Sequence, residues 1–151
     1  MNTLGIRVEP KGVNFAIYSN DACELVTVEL LKIPKAMPRP ESLKYVRNSI
    51  LDILREFEIS HAGIRVTESS ARTKSIERIE IEGVIQEAFA SSMLTSYFCG
   101  QISTIASKLN IQRSEFKEYI NERSFDRIEN WDEHTSSEKE AILTAIGATN
   151  A

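Results

Sequence analysis

Residues 3–19, TLGIRVEPKGVNFAIYS, decide the fold of this chain. Residues 3–9 alternate apolar and other side chains with a period of two, which is typical of a strand. Pro10-Lys11-Gly12 supplies a turn, and residues 13–19 predict a second strand that pairs with the first as a hairpin. A third strand is predicted over residues 24–33, after the turn at Asn20-Asp21. Three strands joined by short turns predict an antiparallel meander.

Beyond the meander, helices and strands alternate. Three prolines between residues 34 and 40 interrupt the chain, and apolar side chains at helical spacing predict a helix over 41–58. The short apolar stretch 62–66 predicts a fourth strand, parallel to the first because a helix precedes it. The further predicted elements are a helix over 75–91, a strand over 95–102, short helices over 103–109 and 114–122, and a last helix that begins near Ser136. The charged segment 124–134 indicates no regular element.

This order predicts an α/β fold in one domain, residues 1–151. Its sheet has five strands, a three-strand antiparallel meander plus two parallel strands, and helices flank it. Gly83 costs the helix over 75–91 about 1 kcal/mol relative to alanine, which we read as close approach to the sheet. Ile76, Ile79 and Ala88 are expected on the same inward face. We expect Trp131 to pack in the protein or in an interface.

Composition favours a globular protein without a membrane segment. Hydrophobic residues make up 42% and charged residues 26% of the chain, and no apolar run approaches the roughly 18 to 20 residues of a membrane span. The N-terminus shows no secretory signal, so we expect a cytoplasmic location. Cys23 and Cys99 lie far apart and are expected as buried free thiols of a reducing compartment.

The distribution of charge does not exclude a nucleic-acid partner. The net charge of −4 disfavours unspecific attraction to a phosphate backbone. Residues 65–78 are nevertheless locally basic, and Arg72, Lys74 and Arg78 are the predicted nucleic-acid contacts.

The succession of elements resembles the RNase H-like fold and, within it, the RuvC-like branch of Holliday-junction resolvases. Residues 4–10 are similar to the aliphatic-Gly-Ile-Asp-Pro-Gly sequence at the end of that family's first strand. Residues 63–68 are similar to its fourth strand, which a Glu closes, and residues 136–141 are similar to the start of its last helix. Residues 102–109 resemble the region where the family leaves its fifth strand. Residues 8–12 are also similar to Val-Glu-x-Lys-Gly in a small bacterial family of resolvase-like proteins.

The resemblance implies a site of carboxylates contributed by the first strand, the fourth strand and the last helix. Nucleases of this fold cleave phosphodiesters with two divalent cations about 3.5 to 4 Å apart, held mainly by carboxylate oxygens. The candidate catalytic and metal-binding residues are Glu9, Glu68 and Glu138, with Glu140 or Glu133 as substitutes for Glu138 and Asp132 as a fourth acid. The cofactor of an active enzyme would be Mg²⁺ or Mn²⁺, and an inactive protein would need none.

Arg7 departs from the family pattern. If the Asp position directly follows Gly5-Ile6, Arg7 occupies it and cannot ligate a cation. If the register shifts by two residues, Glu9 takes that position and Arg7 shares its strand face. In a further alternative, Arg7 and Arg65 pair with Glu9 or Glu68, so that an arginine–carboxylate cluster fills the place of the metal.

Structural roles compete with catalytic ones at the candidate acids and at the histidines. Glu9 precedes a turn and would be solvated there. Glu138 lies in the first turn of a helix, where an acid complements the dipole and Ser136 could cap the end. His61 and His134 are isolated, and His61 is expected in a loop before the fourth strand.

Two functions therefore follow from the sequence. The first is a RuvC-like protein with a degenerate acidic site, which associates with structured DNA or with a protein partner, a second copy of itself included. The alternative is a Mg²⁺- or Mn²⁺-dependent, structure-specific DNA endonuclease. A nucleotide cofactor is not expected, because related ATPases need two Gly-rich hairpins and Pro10-Lys11-Gly12 offers a single glycine.

Overall fold

A computed structural model describes residues 1–151 and contains one five-stranded mixed sheet with helices on both faces. The strands are β1 (Asn2–Glu9), β2 (Gly12–Ser19), β3 (Glu24–Lys32), β4 (Ile59–Arg65) and β5 (Ser96–Gly100). Their order in the sheet is β3-β2-β1-β4-β5. β1, β2 and β3 form the antiparallel meander, and β1, β4 and β5 run parallel. The predicted sheet is confirmed.

The helices follow the predicted order closely. They are α1 (Arg39–Glu56), α2 (Ile76–Ala90), α3 (Ile102–Leu109), α4 (Arg113–Asn121) and α5 (Ser136–Gly147), with 3₁₀ turns at Trp131–Glu133 and Ala148–Asn150. β4 begins at Ile59 rather than at residue 62, so His61 lies inside the strand and pairs with Thr3 and Ser96. The prediction that His61 lies in a loop was wrong.

The two faces of the sheet carry separate apolar cores. Leu4, Ile6 and Val8 of β1 pack with residues of α1 and α2, such as Val46 and Ile85. Since side chains alternate along a strand, Thr3, Gly5 and Arg7 point to the opposite face. There α3, α4 and α5 build a second core that includes Phe116, Trp131 and Ile142. The expected packing of Trp131 is confirmed, since its side chain is buried and its Nε1–H donates to the carbonyl of Tyr119 at 2.9 Å.

Gly5 sets the distance between β1 and α5. A Cβ at this position would lie 2.1 Å from both the carbonyl oxygen of Ala141 and the amide nitrogen of Ala145. The Thr3 hydroxyl on the same face donates to the carbonyl of Ala145 at 2.6 Å. The backbone of α5 therefore lies directly on β1, which brings Arg7 beside the first turns of α5.

The orientation of α2 differs from the prediction. Its buried residues are Ile81, Glu82, Ile85, Ala88 and Phe89, so the expected inward position of Ala88 is confirmed. In contrast, Ile76 is 75% and Ile79 43% exposed, and a Cβ at Gly83 would meet nothing within 4 Å. The prediction of close approach at Gly83 was wrong, because Gly83 lies on the outward face of the helix.

The two cysteines are exposed, and no disulfide joins them. Cys23 lies in the turn between β2 and β3 with a positive φ of 55°. The predicted burial of both thiols was therefore wrong. No helix of the structure combines the length and the apolar content that crossing a membrane requires.

Candidate functional site

Arg7 and Arg65 lie side by side where β1 and β4 end. The two strands are parallel, and these residues are partners in the register. In-register residues of neighbouring strands point to the same face, which here is the face covered by α5. Two guanidinium groups are thus brought together at the edge of the sheet where the sequence predicted carboxylates.

Glu140 of α5 contacts both arginines. Its Oε2 accepts a hydrogen bond from Nε of Arg7 at 3.2 Å, and its Oε1 lies 3.1 Å from Nε of Arg65. The second contact has the distance of an ion pair without the alignment of a hydrogen bond, since Nε of Arg65 has no hydrogen-bond partner. Arg7 also donates through Nη1 to the carbonyl of Arg65 at 3.4 Å. One carboxylate therefore bridges the ends of two strands.

Glu68 extends this cluster to the loop after β4. Its Oε2 lies 3.4 Å from Nη1 of Arg65 and accepts the backbone N–H of Ile102 at 2.9 Å. Its Oε1 accepts a hydrogen bond from Nη2 of Arg113 at 3.1 Å. We call Arg7, Arg65, Glu68 and Glu140 the arginine–glutamate cluster. Through Glu68 it also ties down the first residues of α3 and α4.

The cluster is largely removed from solvent. The side chain of Arg65 is 6% exposed, and those of Glu68 and Glu140 are each 13% exposed. Desolvation lowers the pKa of Arg65, and the charge of Arg7 acts in the same direction, whereas Glu140 and Glu68 oppose it. Because arginine keeps its proton in proteins, both guanidinium groups remain charged and the two carboxylates balance them.

Glu82 holds the backbone next to the cluster. This residue of α2 is only 3% exposed, and both of its oxygens accept the N–H of Thr67 at 3.1 Å. Its Oε2 also accepts the Thr67 hydroxyl at 2.8 Å. Thr67 directly precedes Glu68, so Glu82 fixes the chain from which the cluster's second carboxylate projects.

The predicted acids of the first strand and the last helix lie outside the cluster. Glu9 accepts a hydrogen bond from the amide nitrogen of Asn14 at 2.9 Å, across the β1–β2 hairpin, and forms no ion pair. Glu138 takes part in a capping box with Thr135, whose N–H donates to Oε1 of Glu138 at 2.8 Å. Thr135 is therefore the N-cap of α5, and the prediction of Ser136 in this role was wrong.

The remaining candidate acids do not approach the cluster either. Asp132 accepts the Ser124 hydroxyl at 2.5 Å, and Glu133 is exposed in the adjoining 3₁₀ turn. Of all the predicted acids, the structure brings only Glu68 and the substitute Glu140 together, with Arg65 between them.

This donor set does not fit a divalent cation. No group of three or more His, Cys, Asp or Glu side chains is placed to hold a metal ion. The oxygens of Glu68 and Glu140 already face arginine or backbone N–H groups. Two buried guanidinium charges would also repel a cation placed between the two carboxylates.

The predicted nucleic-acid contacts lie on the same end of the sheet. Arg72 and Lys74 are exposed in the loop between β4 and α2, and Arg78 is half-buried in the first turn of α2. None of the three forms an ion pair, and Nε of Arg78 is buried without a hydrogen-bond partner. The structure therefore presents a short basic surface, residues 72–78, beside the cluster.

Sequence reasoning missed two residues of this region, Arg113 and Glu82. Arg113 is 45 positions from Glu68, and no local pattern links them. A signal for Glu82 was present, since Glu82, Ile85 and Phe89 recur at helical spacing on one face of α2.

Comparisons with known proteins identify the fold. The structure resembles Thermus thermophilus RuvC with a TM-score of 0.70 and 12% sequence identity, over 99% of this chain and 94% of that chain. RuvC of the same organism in complex with a Holliday junction substrate matches with a TM-score of 0.66 and 13% sequence identity, with the same coverage. The yeast mitochondrial Holliday junction resolvase matches with a TM-score of 0.56 and 15% sequence identity, over 98% of this chain and 77% of that chain.

No family model matches the sequence, and no curated protein is similar enough to match. The structural likenesses, at 12 to 15% identity, concern the fold. The chain has an RNase H-like resolvase fold, as the succession of its elements predicted.

Proposed function

We propose that this chain, which has the RNase H-like fold of Holliday junction resolvases, binds structured nucleic acid without cleaving it. The observation that carries the proposal is the position of Arg7 and Arg65, which face both oxygens of Glu140 where β1 and β4 end. A degenerate site of this kind keeps the scaffold and replaces metal ligation with internal ion pairs.

The energetics of burial favour permanent ion pairs in the cluster over a site in which a metal ion takes Glu140 away from the arginines. Removing one partner from a buried ion pair leaves an uncompensated charge and costs about 3 to 5 kcal/mol. A metal ion that took Glu140 as a ligand would leave Arg7 and Arg65 in that condition, side by side and only 11% and 6% exposed. The ion would have to offset this cost before any chemistry began.

Nucleic-acid binding is supported by the unpaired cations near the cluster. Arg72 and Lys74 are exposed in the loop after β4, and neither forms an ion pair. One structural neighbour is described in complex with a Holliday junction substrate. The net charge of −4 opposes long-range attraction, so we expect moderate affinity that falls steeply with salt.

A four-way DNA junction tests this function. We expect the wild-type protein to shift a junction in a gel at low salt and to release no cleaved strands when Mn²⁺ is added. The variant Arg72→Gln/Lys74→Gln should bind more weakly and lower the slope of log K against log salt by roughly 1.8, because two phosphate contacts are lost. Lys44→Gln/Lys117→Gln is the matched control, since both lysines are exposed and form no ion pair.

Two outcomes of this experiment would overturn the proposal. The first is Mn²⁺-dependent cleavage by the wild type that Glu68→Gln abolishes. The second is an equal loss of binding in the control variant, which would show that the basic surface has no special role.

The second candidate function is a Mg²⁺- or Mn²⁺-dependent DNA endonuclease. It is favoured by the fold likeness and by the shared position of Glu68 and Glu140 around Arg65. This function requires Arg7 and Arg65 to withdraw from Glu140 when DNA binds. The cleavage assay above decides between the two candidates.

A second copy of the chain is the protein partner that we propose. The outward face of α2 exposes Ile76 and Ile79 in its first turn, and Met93 and Tyr97, near the other end of the helix, are 99% and 42% exposed. Gly83 adds no side chain in the middle of this face, so another helix could approach closely.

Two further predictions from the sequence stay predictions: one domain over residues 1–151 and a cytoplasmic location.

A further inference from the structure

A cleft of about 560 Å³ opens at the edge of the sheet that β3 forms, beside α1 and α2. It lies between the β1–β2 turn, the end of β3, the linker before α1 and the first turns of α1 and α2. This volume falls in the range of roughly 300 to 1,000 Å³ that small-molecule sites occupy. Neither the proposed nucleic-acid contacts nor the cluster lines it.

The lining of this cleft is strongly basic in an acidic protein. Lys11, Lys32, Lys35 and Arg39 line it, and Glu77 is the single acid. Arg39 pairs with both Glu77, at 2.7 Å, and Glu80, so it adds no free positive charge, whereas none of the three lysines forms an ion pair. Three uncompensated ammonium groups around one concave surface repel each other and raise the local concentration of anions.

The N-terminus of α1 adds to this positive potential. The helix has 18 residues, and its N-cap is Pro38, which provides no side-chain hydrogen bond to the first turn. Arg39 and Ser42 of that first turn line the cleft. Pro40, the second residue of the helix, has no N–H and Glu41 offsets part of the dipole, so the helix end adds only a weak attraction for an anion to that of the lysines.

Apolar side chains form the other part of the cleft wall. Ile33 and Met37 lie there, and the buried Ile81 contributes from α2, whereas Leu30 borders the cleft from the other face of β3. A bare inorganic anion would leave this surface unused. The pairing of an apolar wall with several ammonium groups suits a ligand that has phosphoryl groups at one end and a ring at the other.

We propose that this cleft binds a small organic phosphate with at least two negative charges, of the size of a nucleoside diphosphate. Its phosphoryl groups lie among Lys11, Lys32 and Lys35, and its uncharged part lies on Ile33 and Met37. The site shares no cation with the proposed nucleic-acid contacts Arg72, Lys74 and Arg78, and it extends the function beyond them. Phosphates of a nucleic-acid backbone are the second source of the same chemistry, and the experiment separates the two.

Isothermal titration calorimetry at constant ionic strength tests the site. The probes are ADP, inorganic pyrophosphate, sulfate and a single-stranded oligonucleotide. We expect ADP and pyrophosphate to bind at one site per chain, and Lys32→Gln/Lys35→Gln to raise both Kd values by about tenfold or more, because charge-assisted bonds are lost. Met37→Ser should raise the Kd of ADP and leave that of pyrophosphate unchanged.

The control is again Lys44→Gln/Lys117→Gln, which leaves the cleft intact. Absence of binding by ADP and pyrophosphate, or equal binding of sulfate, overturns the proposal. So does an equal loss of affinity in the control variant. If only the oligonucleotide binds, and Lys32→Gln/Lys35→Gln weakens that binding, the small-molecule assignment is overturned. The cleft would then bind phosphates of a nucleic-acid backbone. None of these variants changes Arg72 or Lys74, so the calorimetry and the junction experiment can fail independently of each other.

Discussion

At the scale of single residues, Glu140 is the acid on which the site depends. The sequence placed Glu138 and Glu140 together in the last helix but could not decide which faces the sheet. Residues two apart on a helix point about 200° apart, so only one of them can meet β1. The N-cap at Thr135 decides the matter, because it makes Glu138 the third residue of the helix and engages it in the capping box.

The sequence did predict an arginine–carboxylate cluster as one of its alternatives. It paired Arg7 and Arg65 with Glu9 or Glu68, and the structure shows the pair of Arg65 and Glu68. The link between Arg7 and Glu140 spans 133 positions and depends on how closely α5 lies on β1. Such a contact follows from Gly5 and the helix packing, which no local pattern reveals.

Replacing Glu140 by glutamine should therefore destabilise the protein strongly. Glu140→Gln leaves the buried Arg7 and Arg65 adjacent and without a shared carboxylate, at an expected cost of about 3 kcal/mol or more in the free energy of unfolding. Urea unfolding measures this cost. The double variant Arg7→Met/Glu140→Gln should recover part of it, because one of the two charges is removed.

The matched control for this measurement is Glu138→Gln, which weakens a capping box and should cost about 1 kcal/mol. A loss for Glu140→Gln no larger than that of Glu138→Gln would show that the cluster contributes little to stability.

At the scale of elements, periodicity placed most boundaries within a few residues. The predicted β4 is too short at its start, because Ser60 and His61 are polar although both belong to the strand. The orientation of α2 was the larger error. Isoleucines lie on two faces of this helix, Ile76 and Ile79 outward and Ile81 and Ile85 inward, so helical spacing alone cannot select the buried face.

The outward face of α2 predicts self-association. We expect sedimentation equilibrium to show a dimer for the wild-type protein and a monomer for Ile79→Glu, because a charge at the centre of the apolar face would be buried without a partner. Lys117→Glu on α4 serves as the control for an added acid and should remain dimeric.

A wild-type protein that stays monomeric at high concentration would contradict this prediction. A dimer that Ile79→Glu leaves intact would show that copies of the chain associate through another surface.

At the scale of the whole molecule, the order of elements was sufficient to predict the sheet. Short turns define the meander, and helical crossovers place β4 and β5 parallel to β1. The same topology brings the ends of β1 and β4 together with the start of α5, which is why the sequence pointed to that edge. What occupies the edge could not be predicted, because it depends on which side chains reach across three separate elements.

The whole molecule thus combines a resolvase fold with a charge arrangement that differs from the carboxylate site inferred from the sequence. The cluster holds together β1, β4, α3 and α5. The basic surface and the basic cleft are exposed and lie at the same end of the sheet, where β1 and β4 end. On this account, ligand binding uses those exposed cations, and the cluster itself supports the scaffold.

A crystal structure of the protein soaked in Mn²⁺ tests the central claim most directly. We predict no anomalous peak between Glu68 and Glu140, with Arg7 and Arg65 still at ion-pair distance from Glu140. An anomalous peak coordinated by oxygens of Glu68 and Glu140, with both guanidinium groups displaced, would contradict the account.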